Sequence, residues 1–312
     1  MVAGNGAMSA SSISPEGLGD RAARALGLDR DAHPEVTIDA IRAAVNAAVE
    51  AGELQLASLG KLRSSEVRTK SSMRDLVTDV DLASERLIVR ALRAATPDFT
   101  IEAEEEANDE DLGAPRWIVD PLDGTVNFVH GIPMFAVSIG LIGSSGPQGA
   151  QPLFGVVHAP RLGETFVALA GRGAYCLDAA DPRAGHPGEE RRLRVSEPEG
   201  LSDAILATGF PYGRNELEHS NLENFNAFFY DIRGVRRLGA AALDLAYVAA
   251  GRMDGFWELH LGPHDMAAGA LLVREAGGEV TDAAGGDDWL RSGHLVAAHA
   301  PLAAAIRERL VF

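Results

Sequence analysis

Apolar residues recur at Ile38, Ile41, Val45 and Val49, the spacing of three and four that turns one face of a helix inward. A second helix is predicted over 81–95, with Asp81 as its cap and Leu87, Ile88, Ala91 and Leu92 facing the core. Short apolar runs then predict strands at 99–102, 117–119, 135–141, 153–158 and 164–169. Pro97, Gly124, Gly131 and the 143–149 stretch punctuate them. Later strands are predicted at 204–208, 279–281 and 295–297. Helices are predicted at 240–250, 265–276 and 301–310, the second stopped by Gly277-Gly278. Residues 1–20 read as a flexible extension, and regular structure is expected to begin near Val36. Residues 178–191, rich in Asp, Pro, Gly and Glu, read as an exposed loop. The order mixes alternating αβ elements with hairpin-like pieces and contains no evident repeat.

The 312 residues suffice for one large domain or two ordinary ones. With 45 acidic against 28 basic residues the formal charge is -17, which argues against a nucleic-acid backbone or an anionic membrane as main partner. A phosphorylated small molecule remains compatible, because a bound cation inverts the local field. Cys176 is the sole cysteine, so one chain builds neither a disulfide framework nor a multi-thiolate zinc site. Residues 1–30 lack the apolar run of a secretory signal, and no later run reaches membrane-spanning length. The expected compartment is the cytoplasm.

The most informative segment runs from Trp117 to Phe128. An apolar strand leads straight into Asp120, and Pro121 is expected to stop it as an interior ladder member. Asp123-Gly124 favours a turn that folds Asp123 back beside Asp120. Two carboxylates so placed repel each other unless a cation lies between them, and a hard divalent ion such as Mg2+ takes such oxygens. Gly124 and Thr125 add N–H groups and a hydroxyl suited to phosphate. An ordinary acidic turn with an Asx hydrogen bond fits Asp-x-x-Asp-Gly-Thr equally well when taken alone. Taken singly, Glu104, Glu105 and Glu106 read as a solvated acidic loop, Asp265 as a helix cap, Glu258 as a strand-end rim residue and Lys70 as a solvated lysine.

Together these residues resemble the inositol monophosphatase family of metal-dependent phosphatases. The resemblance is carried by Trp117–Phe128, by Trp257-Glu258 through Pro263-His264-Asp265-Met266-Ala267-Ala268-Gly269, and by Lys70-Ser71-Ser72 with Asp75-Leu76-Val77-Thr78-Asp79-Val80-Asp81. It covers the chain from about Val36 to the C-terminus. It implies a layered α/β/α/β/α sandwich of the inositol monophosphatase and fructose-1,6-bisphosphatase type. Residues 1–35 would be a partly flexible extension, 36–192 an α+β metal-binding half, and 193–312 an α/β half completing the site.

By resemblance the activity is Mg2+-dependent hydrolysis of a phosphate monoester by water, with inositol monophosphate the favoured substrate. Fructose 1,6-bisphosphate, histidinol phosphate and nucleotide phosphates are alternatives. A regulatory, RNA-associated protein is an alternative of another class. Glu104, Asp120, Asp123, Asp265 and the Leu122 carbonyl would hold the metal, Asp81 and Thr125 would orient the water, and Lys70 would lie near the active-site solvent. Gly124 and Thr125 would face the phosphate. Gly239, Ala240, Ala241 and Glu258, with Asp265, would border the substrate; Arg236 and Arg237 read either as assisting a phosphate or polyol or, equally, as solvated or intersubunit residues. Lithium sensitivity and a homodimer are also implied. The chain departs from the family pattern at Ala103, where Gly is usual, at His264, where Trp is usual, and in the apparent insertion at 178–191.

Overall fold

The computed structural model describes residues 15–28, 36–62, 66–70, 75–109, 113–144, 151–177 and 190–312. The first half holds α1 (Pro15–Ala25), α2 (Ile38–Ser58), β1 (Val67–Thr69), β2 (Leu76–Thr78), α3 (Asp79–Ala95), β3 (Thr100–Ala103), β4 (Arg116–Asp123) and α4 (Thr125–Val129). Five strands follow: β5 (Ala136–Ile142), β6 (Pro152–Ala159), β7 (Glu164–Leu169), β8 (Gly173–Leu177) and β9 (Arg191–Arg192). The remainder comprises β10 (Ile205–Thr208), α5 (Leu222–Phe228), β11 (Gly234–Arg236), α6 (Ala241–Ala249), β12 (Gly255–Glu258) and α7 (Pro263–Glu275). It ends with β13 (Glu279–Thr281), α8 (Trp289–Ser292), β14 (Leu295–Ala298) and α9 (Ala300–Arg307).

Two larger sheets organise these elements. Seven strands run in the order β3-β4-β5-β6-β7-β8-β9, antiparallel except for the parallel β3–β4 pair. Five more run β11-β10-β12-β14-β13, parallel on the β11-β10-β12 side and antiparallel at β14. Helices α1, α2 and α3 cover one face of the seven-stranded sheet, through a cluster that includes Ile41, Val45, Ile88, Leu92, Trp117 and Phe154. Helices α6 and α7 fill the space between the sheets. Phe228 of α5 and Leu302 and Ile306 of α9 close the outer face of the five-stranded sheet against Trp257. The layers therefore read α/β/α/β/α, as the resemblance implied.

Buried apolar surface drives this layering, at about 25 cal/mol per Å² removed from water. Small residues set the spacing. A Cβ on Gly155 would come within 2.9 Å of the Ala268 backbone, and one on Gly140 within 2.9 Å of the Ala267 side chain. These glycines let α7 lie directly on β5 and β6, which carries its N-terminus to the end of β4.

Four local expectations change. Regular structure starts at Pro15, because Leu18, Ala22 and Leu26 bury against α2. The cap of α3 is Thr78, whose hydroxyl accepts the Val80 N–H at 3.1 Å, while Asp81 sits in the first turn and accepts the Thr78 N–H at 2.9 Å. The strand β4 does not end before Pro121. Asp120 pairs with Ser138 and Asp123 with Ala136, so three steps on β4 face two on β5, a bulge that absorbs the missing Pro N–H. Arg191, expected in a loop, belongs to β9, while residues 178–189 lie outside the described residues.

Candidate active site

The bulge in β4 brings Asp120 and Asp123 together. Residues three apart on a regular strand point to opposite faces, and one extra residue restores a common face. The Pro121 carbonyl accepts the Gln55 side-chain N–H at 2.7 Å, pinning the bulge to α2. Asp265 arrives from the first turn of α7, where its Oδ2 accepts the Gly262 N–H at 2.7 Å, and Ser138 of β5 donates to the His264 carbonyl at 3.2 Å. One carboxylate oxygen from each of Asp120, Asp123 and Asp265 lies within 4.8 Å of the others. Asp120 and Asp123 are 2% and 5% exposed, so their mutual repulsion is poorly screened.

The electrostatics record that crowding. Burial and the neighbouring Glu104, Asp123 and Asp265 push Asp120 well above the usual carboxylate range. Asp123 rises to about 8 through burial and then Asp265, against the pull of the Ala242 and Leu243 N–H groups. Asp265 is raised by its removal from water, despite the opposing His264. An all-oxygen set of like charges held this close fits a hard divalent cation, which supplies the missing positive charge.

Glu104 stands beside this trio, its charge acting on Asp120, Asp123 and Asp265. Burial alone would raise its pKa, but His264 and Lys70 leave it below the ordinary value. Lys70 Nζ lies 2.8 Å from Glu104 and also bonds Glu105. Burial would lower the Lys70 ammonium, yet the two carboxylates hold it above its ordinary value. Burial lifts Glu105 to about 7.

Asp81 and Thr125 meet as the sequence suggested, with Thr125 Oγ1 2.9 Å from Asp81 Oδ1 and 3.1 Å from the Leu122 carbonyl. The other Asp81 oxygen accepts the Thr78 N–H and hydroxyl. Burial raises the Asp81 carboxyl even against those bonds. Gly124 adopts φ +90°, and a Cβ there would lie 2.8 Å from the Met134 carbonyl.

The residues expected at the alcohol side come from the second half of the chain. Asn127 Nδ2 donates to the Met134 carbonyl at 2.6 Å and the Leu238 carbonyl at 2.8 Å, fixing the turn that leads through Gly239 and Ala240 to α6. Glu258 ends β12, and Gly209 packs directly on its carboxyl, leaving no room for a side chain. Burial and Asp265 lift Glu258 to about 8, with Arg237 pulling the other way. The Arg236 side chain donates to the neighbouring Val235 carbonyl at 3.0 Å. His264, where Trp is usual, is about a quarter exposed, with Nε2 3.8 Å from Asp265 Oδ2.

Sequence reasoning missed Glu85. Its carboxylate accepts the N–H groups of Glu105, Glu106 and Ala107, each at 2.8 Å, and so shapes the loop that carries Glu104. The signal was present: Asp81, Glu85, Ile88 and Leu92 share the buried stripe of α3, and a carboxylate in such a stripe needs partners. It also missed Asp244, a buried carboxyl in the first turn of α6. Burial, Glu258 and Asp123 raise it well above the ordinary range.

Comparison with known proteins agrees with this fold. The Inositol monophosphatase family profile matches residues 38–311. The Nus factor SuhB of Pseudomonas aeruginosa is 45% identical over 261 residues, 81% of this chain and 89% of that protein. The inositol-1-monophosphatase of Rhizobium meliloti is 42% identical over 266 residues, 85% and 93% of the two chains. Among solved structures, the extragenic suppressor protein suhB of Bartonella henselae superposes with a TM-score of 0.74 at 40% identity, covering 86% of this chain and 97% of that one. The Thermotoga maritima IMPase gives 0.71 at 33% identity, covering 84% and 92%. With its layered fold, its acidic site and these relatives, the chain belongs to the inositol monophosphatase family.

Proposed function

We propose that the protein is a Mg2+-dependent phosphatase that hydrolyses inositol monophosphate to inositol and phosphate. The observation that carries this reading is the meeting of Asp120, Asp123 and Asp265 beside the Thr125–Asp81 pair. Asp120, Asp123, Asp265, Glu104 and the Leu122 carbonyl would hold Mg2+, which neutralises phosphate charge and activates water when bound. The chain's own groups do the rest. Thr125 gives its single proton to Asp81, leaving its oxygen lone pairs to accept from the attacking water. Asp81, with its raised proton affinity, is suited to draw that proton onward. The Gly124 and Thr125 N–H groups hold non-bridging phosphate oxygens. Lys70 fixes Glu104 and Glu105 at the solvent side.

Glu258 favours a hydroxyl-rich alcohol, since its buried carboxyl ends β12 without a hydrogen-bond partner among the described residues. The resemblance to an inositol-1-monophosphatase supports the same choice over fructose 1,6-bisphosphate, histidinol phosphate or a nucleotide phosphate. The homodimer is adopted from the family resemblance, as is lithium sensitivity. No helix among the described residues is long and apolar enough to cross a membrane.

The test is phosphate release from inositol monophosphate with Mg2+ and after chelation. Turnover that stops on chelation supports the reading. Robust turnover of another ester with none of inositol monophosphate overturns the substrate. A second reading rests on relatives named Nus factor: a regulatory, RNA-associated role alongside phosphatase chemistry. The strongly acidic charge weighs against direct RNA contact, and an RNA-binding measurement on the same sample separates the two.

A further inference from the structure

We propose that Asn221 is a positioning residue for substrate specificity, whose side-chain amide holds the Glu258 carboxyl over Gly209 in the orientation that receives the alcohol portion of the substrate. The inference rests on the phosphatase reading above and deepens it by assigning what aims Glu258.

Strands β10 and β12 run parallel, with Thr208 paired to Trp257. One residue further on, Gly209 and Glu258 stand side by side at the carboxyl ends of the two strands, the edge at which parallel strands place their ligands. A Cβ on Gly209 would lie 2.1 Å from Glu258 Oε2 and 2.2 Å from Oε1, so both oxygens rest over the bare glycine. Glu258 keeps 8% exposure, and no hydrogen bond among the described residues orients its carboxyl. Its aim therefore depends on where the end of β10 stands relative to the end of β12.

Asn221 fixes that relation. It is fully buried, and its amide fills every hydrogen-bonding position it has. Nδ2 donates to the Gly209 carbonyl at 2.6 Å and to Thr208 Oγ1 at 2.9 Å. Oδ1 accepts the Trp257 indole N–H at 2.8 Å and an Asn224 side-chain N–H at 3.2 Å. The Thr208 hydroxyl in turn donates to the Trp257 carbonyl at 2.7 Å, on the peptide that leads into Glu258. One amide thus ties the residue beneath the carboxyl to the residue just before it in the chain.

The backbone shows that this arrangement is imposed on Asn221. The residue opens α5, where an asparagine ordinarily caps the helix with its side chain, and it makes no such bond. It also adopts φ 70°, a left-handed conformation shared, among the described non-glycine residues, with His260 alone. A forgone cap and a left-handed backbone both cost free energy. They persist where the surroundings over-determine a residue, as the four bonds of this amide do.

The experiment measures kcat/KM for inositol monophosphate and for p-nitrophenyl phosphate, at saturating Mg2+, in wild type, N221G, E258A and the double variant. Melting temperature is the folding control. Glycine keeps the left-handed backbone available while removing the amide. The ratio of the two kcat/KM values is expected to fall about tenfold in N221G and by a similar factor in E258A. The double variant is expected to fall no further than E258A, because Asn221 acts through Glu258. A merely structural role would lower both esters together and add to the effect of E258A. An N221G ratio within about twofold of wild type, or an N221G effect that persists in full on the E258A background, overturns the inference alone. A wild-type ratio in E258A overturns the role given to Glu258 and the inference with it. Wild type inactive on both esters overturns the phosphatase reading as well. Should N221G fail to fold, T208V takes its place, since it removes the hydroxyl that joins Asn221 to the Trp257 carbonyl. The ratio is then expected to fall about threefold, and only where Glu258 is present; an unchanged ratio overturns the inference.

Discussion

The Asp123 carboxylate, at the end of β4, accepts the backbone N–H of Ala242 at 2.9 Å, across 119 residues of sequence. One side chain therefore serves the acidic trio and the start of α6 at once. A carboxylate at a helix N-terminus is stabilised by the exposed N–H groups and the positive end of the helix dipole. The same bond fixes the start of α6 relative to the acidic trio.

Replacing Asp120 tests the metal centre. D120N keeps the shape but replaces a charged oxygen by a weaker donor set. Mg2+ affinity is expected to fall by more than about 100-fold, beyond the 10–100-fold cost typical of groups behind a ligand. Turnover of every accepted ester falls with it. Calorimetric Mg2+ titration checks this, and affinity equal to wild type contradicts it.

Replacing Thr125 tests the water-orienting pair. T125V removes the hydroxyl that links Asp81 to the reacting water while keeping the side-chain bulk. A fall of about 100-fold in kcat, with a smaller change in Mg2+ affinity, is expected from losing one positioned proton acceptor. Steady-state kinetics with parallel Mg2+ titration distinguishes it from a metal-binding defect, in which both fall together.

Glu85 is buried, and three N–H groups of the 105–107 loop depend on its carboxylate. E85A leaves them without an acceptor in a partly buried setting. Mg2+ affinity is expected to fall 10- to 100-fold, on the order of losses at supporting residues. E85Q, which keeps one oxygen acceptor, recovers part of that loss. Equal affinity in E85A and wild type would show that the loop holds its shape without this anchor.

His158 makes stability depend on pH. Burial lowers its pKa to about 4, and its Nδ1 lies 2.9 Å from the Thr165 hydroxyl. In the unfolded chain the imidazole titrates near 6.5, so between about 6.5 and 4 the unfolded state binds more protons than the folded one. Stability contributed by the neutral imidazole is complete above 6.5 and declines as pH falls, by about 3 kcal/mol at pH 4. Urea unfolding of wild type and H158Q, both free of divalent metal, should show a shallower pH slope for the variant in this window. Parallel slopes would remove His158 as the cause.

Lithium should inhibit turnover uncompetitively with respect to substrate, as the family resemblance implies. Initial rates across substrate and lithium concentrations at fixed Mg2+ provide the check. Activity unchanged through tens of millimolar lithium counts against the transfer of this property.

The sequence alone determined the elements whose cause is local. Helix α2 follows from the spacing of Ile38, Ile41, Val45 and Val49, and the central strands from their unbroken apolar runs. The turn at Asp123-Gly124 was also legible, because turn chemistry depends on adjacent residues. Strands β1, β2 and β11, of three residues each, were not legible, because their pairing partners rather than any period define them. The helix α1 escaped notice because its stripe of Leu18, Ala22 and Leu26 becomes decisive only once α2 lies beneath it. Tertiary structure alone decided that the Asp120–Asp123 pair meets Asp265, since that requires α7 to press against the glycines of β5 and β6. It alone gave Glu85 its three backbone partners and left Asp244 with none, because hydrogen bonds between distant segments depend on packing rather than on spacing in the chain.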